Sequence, residues 1–130
     1  MLWMMGAIET INVGTCLDTG HASLSGDIYS VMYKLSGHLQ MIHANDNEGR
    51  NDDHLPPGKG VINWRRLLKE LDETGFHGAF ILELAGRERM EPESILNEAR
   101  MAGRFLRDIS KQIELSTPPT VVRAALGEGR

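Results

Sequence analysis

Asn12-Val-Gly-Thr-Cys-Leu-Asp-Thr-Gly-His-Ala22 sets the plan of the whole chain. A short apolar run ends on Asp18, and a polar loop carrying His21 follows. Beyond the loop, Ile28, Val31, Met32 and Leu35 recur at spacings of three and four, the period of one helix face. This predicts a helix over 26–35. Asp27 near its start suits the positive end of the helix dipole, and Gly37 is a stop signal.

The same order returns twice. Leu39-Gln-Met-Ile-His43 is a second apolar run, followed by a polar loop from Ala44 to Gly60 rich in Asn, Asp, Gly and Pro. A helix is then expected over 63–74, with Trp64, Leu67, Leu68 and Leu71 on one face, Asn63 as N-cap and Gly75 just past the end. The third unit is Gly78-Ala-Phe-Ile-Leu-Glu83, a loop from Gly86 to Met90, and a helix starting near Pro92. Ile95, Ala99, Ala102, Leu106, Ile109 and Ile113 give that helix its apolar face. Nearly all-apolar strands alternating with helices are the pattern of a parallel sheet buried by helices on both faces. Met1 to Thr10 reads as the last turns of a helix from an earlier unit, and the stretch from Ser116, with Pro118-Pro119, as a loose tail. The expected division is therefore one βα body over 1–115 and a tail over 116–130. Three strands cannot close a barrel and leave two open edges. The chain is expected to be part of something larger, or to complete itself by oligomerising.

The bulk numbers bound the function. A chain of 130 residues with 41% hydrophobic and 25% charged residues has the composition of a soluble globular protein. No run approaches the roughly 18–20 apolar residues of a membrane span, and the opening stretch lacks a signal peptide's features, so a cytoplasmic protein is expected. A single cysteine, Cys16, excludes an internal disulfide. A net charge of −4 argues against general nucleic-acid binding.

Each apolar run ends in a side chain that can ligate metal: Asp18, His43 and Glu83. In parallel βα architectures function gathers at the C-terminal ends of the strands. Two carboxylates and an imidazole suit Mn²⁺, Zn²⁺ or Fe²⁺. Taken singly, an acid at a strand end is as often a turn former or helix cap. The three together favour a cation, because burying several acids without one is costly. His21, Asp52 and His54 form a possible second metal site, or supporting and acid–base groups. The bland reading of Asn51-Asp52-Asp53 is a solvated turn. Leu55-Pro-Pro-Gly-Lys-Gly60 reads as a sugar or phosphate contact through Lys59, or equally as a rigid loop; Arg87 and Arg89 read as anion contacts or surface charge. His38 and His77 lie at the remote end of the strands and read as structural or solvent-facing. Cys16 reads as a small interior residue, and Trp64 as packing.

Val13-Gly-Thr-Cys-Leu-Asp-Thr-Gly-His-Ala22, Ile42-His-Ala-Asn-Asp-Asn47, Asp52-Asp-His-Leu-Pro-Pro-Gly-Lys-Gly-Val-Ile-Asn-Trp64 and Phe80-Ile-Leu-Glu83, in that order, resemble the xylose isomerase-like TIM-barrel superfamily. That group includes sugar-phosphate isomerases and epimerases and endonuclease IV. The resemblance implies strands six to eight of a partial (β/α)₈ barrel, open unless a partner or a missing N-terminal part completes it. It implies Asp18, His43 and Glu83 as ligands of a central divalent metal, Mn²⁺ or Zn²⁺. A Glu on the fifth strand, which this sequence does not contain, would complete that set. His21, Asp52 and His54 match the residues that hold a further zinc in endonuclease IV. The function implied is proton transfer next to a metal-polarised carbonyl of a sugar or sugar phosphate. Glu83 and His21 would be catalytic, with Lys59 and Arg87 on the substrate. The alternatives are an inactive barrel fragment and a zinc phosphodiesterase acting on abasic DNA.

Overall fold

The computed structural model describes residues 13–85 and 90–116. Strand β1 (Thr15–Asp18) leads directly into a short helix α1 (Thr19–Leu24), then α2 (Ile28–Leu35) and a 3₁₀ turn (Ser36–His38). Strand β2 (Leu39–Ala44), helix α3 (Trp64–Glu73), strand β3 (Ala79–Leu82) and the long helix α4 (Pro92–Ser116) complete the order. The strands lie side by side as β1-β2-β3, all parallel, with helices in the crossovers. The parallel sheet is as the apolar strand pattern predicts, and it is part of a (β/α)₈ barrel, as the resemblance implies.

The helix boundaries follow from local chemistry. The side chain of Asp27 accepts from Tyr29 N at 3.1 Å and that of Asn63 from Arg66 N at 3.0 Å, so each caps its helix. Gly75 takes φ +72° just past α3, the left-handed turn a glycine tolerates without strain. Helix α1 was not foreseen; the sequence reads there as loop. Asp18 starts it, accepting from His21 N at 3.0 Å.

Strand alternation divides the sheet into two faces. Leu17, Ile42 and Ala44 point toward the helices, where they join Ile28, Met32 and Leu35 of α2, Trp64, Leu67 and Leu71 of α3, and Leu106, Ile109 and Ile113 of α4. The opposite face carries Cys16, Asp18, Met41, His43 and Ile81. Among the described residues helices cover only the first face, whereas the strand pattern predicts two-sided burial. Cys16 shares the face of Asp18, as its position predicts, but is exposed, because the three strands do not enclose that side. Ile81 is likewise 43% exposed. His38 and His77 are exposed at the far end, and Trp64 is buried, all as read. The expected helix before residue 10 and the tail after Ser116 lie outside the described residues. Among the described residues no helix is long and apolar enough to cross a membrane.

Candidate metal centre

Parallel register brings the strand tips together. Asp18 is paired with His43, and His43 with Ile81, so Glu83, two residues past Ile81, falls on the same face. Neighbouring strands lie about 4.8 Å apart, which places the three side chains within reach of one ion. Ligand atoms of Asp18, His43 and Glu83 all lie within 4.8 Å of one another. His43 Nδ1 stands 2.7 Å from Glu83 Oε2. The approach lacks hydrogen-bond geometry: Glu83 Oε2 is buried and receives no hydrogen bond. A buried carboxylate oxygen without a hydrogen-bond partner, set beside an imidazole nitrogen, suits a common cation.

Asp18 is both a cap and a ligand candidate. Its Oδ1 accepts from His21 N and, at 3.2 Å, from Asn45 Nδ2. Its Oδ2 lies 3.5 Å from His21 Nδ1. The helix-cap reading and the metal reading are therefore compatible, one oxygen serving each.

His21, Asp52 and His54 also meet. Asp52 Oδ2 is 2.8 Å from His21 Nε2 and 3.2 Å from His54 Nε2. The two imidazole rings meet edge to face with centroids 5.9 Å apart. Ligand atoms of Asp18, His21 and His54 also lie within 4.8 Å of one another, so Asp18 stands at the junction of the two groups, which the sequence did not reveal. The hydrogen bond to Asp52 and the nearby charge of Asp18 push the His21 imidazole above its ordinary value. Desolvation works to raise the Asp52 carboxyl, but the two histidines outweigh it and hold it below the usual carboxylate value. His54 adopts φ +45°, a conformation uncommon outside glycine. Its backbone carbonyl accepts from Ala85 N at 3.3 Å, which ties this loop to the segment carrying Glu83.

Behind the ligands sits a layer of buried polar groups. Thr19 Oγ1 donates to Asn45 O at 2.6 Å, and Asn47 Nδ2 donates to Gly20 O at 3.0 Å. Asn45, Asp46 and Asn47 are fully buried although they follow a strand in what reads as a polar loop. The signal was present in Asn45-Asp46-Asn47 directly after an apolar run, with Gly58, Gly60 and an indole at Trp64 downstream.

Lys59 is exposed on this loop. The amides of Gly58, Lys59 and Val61 donate to Asp46 Oδ2, Pro56 O and Asn47 O respectively, so they are not turned outward to cradle an anion. Arg87 and Arg89 lie outside the described residues.

The profile of the xylose isomerase-like TIM-barrel family matches residues 2–109. The chain belongs to that family. An uncharacterized protein of Methanocaldococcus jannaschii is 32% identical over 102 residues, covering 75% of this chain and 35% of its own length. Fructoselysine 3-epimerase of Escherichia coli O157:H7 is 29% identical over 72 residues, 55% of this chain and 26% of that enzyme. The crystal structure of a D-tagatose 3-epimerase-like protein superposes with a TM-score of 0.74 at 26% identity, covering 88% of this chain and 40% of that one. The chain thus spans about a quarter to a third of the length of these curated relatives.

Proposed function

We propose that this chain carries the metal-binding rim of a sugar or sugar-phosphate isomerase or epimerase. The observation that carries the reading is the convergence of Asp18, His43 and Glu83 at the ends of three adjacent parallel strands, with Glu83 Oε2 buried and without a hydrogen-bond donor. The epimerase names among the relatives support the reaction class. The donor set, carboxylate and imidazole, fits Mn²⁺ or Zn²⁺. Such an ion, held by these three residues, would supply Lewis-acid polarisation of a substrate carbonyl. Glu83 would move the proton on the neighbouring carbon, a role that needs a carboxylate within hydrogen-bond reach of that carbon. His21, at the mouth of the site, would orient substrate hydroxyls; Lys59 and Arg87 would bind an anionic substrate group. A full catalytic pocket requires the remaining strands of the barrel, from the rest of a longer polypeptide or from a partner.

The test is Glu83→Gln in a complete homologue. The expected result is loss of epimerisation of a ketose phosphate and weakened Mn²⁺ binding. Unchanged turnover with metal still bound removes Glu83 from the role.

A second reading is a zinc-dependent phosphodiesterase. The contacts of Asp52 Oδ2 with His21 Nε2 at 2.8 Å and with His54 Nε2 at 3.2 Å, and the convergence of Asp18, His21 and His54, favour it, because these groups could hold an additional ion. The count of bound ions separates the two: one Mn²⁺-type ion supports the isomerase, a zinc cluster the phosphodiesterase.

A further inference from the structure

Asp46 is the most completely engaged carboxylate among the described residues, and it belongs to neither ligand group. It is fully buried. Oδ1 accepts from Asn47 N at 3.0 Å and from Ile62 N at 3.1 Å. Oδ2 accepts from Gly58 N at 3.1 Å and from the Trp64 indole Nε1 at 2.8 Å. Its own backbone pairs with Leu55 in both directions, at 2.7 and 2.8 Å. A buried carboxylate is tolerated when its lone pairs are filled, and here four N–H groups fill them.

The geometry is that of a drawstring. Asp46 sits two residues past β2, where the long loop begins. Gly58, Ile62 and Trp64 lie where it ends. The carboxylate gathers both ends, and the Leu55 pairing fixes the residue next to His54. Nothing larger than glycine fits at position 60: a Cβ there would fall 2.2 Å from Asn47 O and 2.3 Å from Asp46 Oδ1. His54, held at φ +45° with its carbonyl on Ala85 N, hangs from this frame and meets Asp52 and, across the gap, His21. A loop free to relax would have no reason to keep that left-handed histidine.

We propose that Asp46 is a positioning residue: its buried carboxylate ties the two ends of the 47–62 loop together and thereby holds Asp52 and His54 beside His21. Replacing it with Asn leaves Oδ1 as an acceptor but turns an NH₂ toward two N–H donors, so the bonds from Gly58 and Trp64 are lost together. The geometric claim stands without any ion. Its consequence for ion binding rests on the metal-binding reading above.

The experiment uses the 130-residue chain in EDTA, followed by NMR hydrogen exchange and by cross-relaxation between the His21 and His54 rings. Asp46→Asn is expected to lose protection at the Gly58 amide and the Trp64 indole N–H, which donate to Oδ2, and to lose the ring-to-ring signal, while amides of Leu17 and Ile42 keep theirs. Trp64→Phe, which keeps the carboxylate and deletes one donor, is expected to show a partial loss confined to the same loop, and it decides the question if the Asn variant does not fold. Loop protection and ring signal unchanged would overturn the proposal, as would a uniform loss across the three strands, which marks a general structural role. A zinc titration adds the functional arm. His54→Ala, which removes a candidate ligand, is expected to weaken zinc binding, and Asp46→Asn to weaken it about 10–100-fold, the usual effect of losing a ligand's support. If His54→Ala weakens zinc and Asp46→Asn does not, positioning for the ion is refuted. If the unaltered chain binds no zinc, the metal reading fails, and the exchange data still decide the role of Asp46.

Discussion

Gly20→Ala pits two ordinary effects against each other. Gly20 lies inside α1, where alanine is favoured over glycine by about 1 kcal/mol. On propensity alone the substitution stabilises. The structure gives the opposite sign. A Cβ at position 20 would stand 1.9 Å from Asn45 Oδ1, some 1.5 Å inside the 3.4 Å at which ordinary contact begins. Asn45 is fully buried and donates to Asp18 Oδ1 at 3.2 Å, so it cannot retreat without releasing the carboxylate it steadies. Overpacking costs about 1–3 kcal/mol, and the lost hydrogen bond about 0.5–1.5 kcal/mol. After the propensity gain, Gly20→Ala is expected to destabilise by about 0.5–3.5 kcal/mol, most of that range lying above 1. For a chain of this size that is a fall in melting temperature of about 2–14 °C. Thermal unfolding followed by far-UV circular dichroism measures it. An unchanged or higher melting temperature would refute the reasoning and show that the Asn45 layer yields freely.

Leu67 of α3 is fully buried in the hydrophobic core, and Leu67→Ala is expected to cost about 2–5 kcal/mol in urea denaturation; a loss below 1 kcal/mol would place it outside the core. The His21 imidazole is raised by its bond to Asp52 and by the charge of Asp18, so the stabilisation it contributes is complete below its ordinary pKa of 6.5 and is lost as pH rises through the folded value. Asp52 is lowered, so its share is present above the ordinary carboxylate value of 3.8 and is lost as pH falls through the folded value. In metal-free protein, Asp52→Asn is therefore expected to move the His21 NMR titration midpoint down toward the ordinary value. A midpoint that stays put would assign the shift to other groups.

Much of the fold was legible because it rests on local signals. The three-and-four spacing of Ile28, Val31, Met32 and Leu35, the cap at Asn63 and the stop at Gly75 need no knowledge of distant contacts, and the structure agrees at each. Helix α1 was hidden because a six-residue helix is too short to show a period; only its cap, Asp18, marks it. The strand-tip convergence of Asp18, His43 and Glu83 follows from parallel register, which the alternation of strands and helices already implies. The burial of Asn45, Asp46 and Asn47 was not legible, because a run of three polar residues reads as solvated until the glycines and the indole that satisfy it are brought alongside from more than ten positions away. The exposure of Cys16 has the same origin in reverse: the position gives the face, but only the assembly decides whether anything lies against it.

The two faces of the sheet answer to different constraints. Leu17, Ile42 and Ala44 secure the helices, whereas His43 and Glu83 lie on the other side and belong to no part of the hydrophobic core among the described residues. Their replacement by neutral residues of similar size alters a half-exposed pair on the rim and removes nothing from the hydrophobic core. A melting curve is therefore blind to whether this rim still functions, and descendants of such a chain can drift out of chemistry while remaining well folded. Only titration with ions reads the difference.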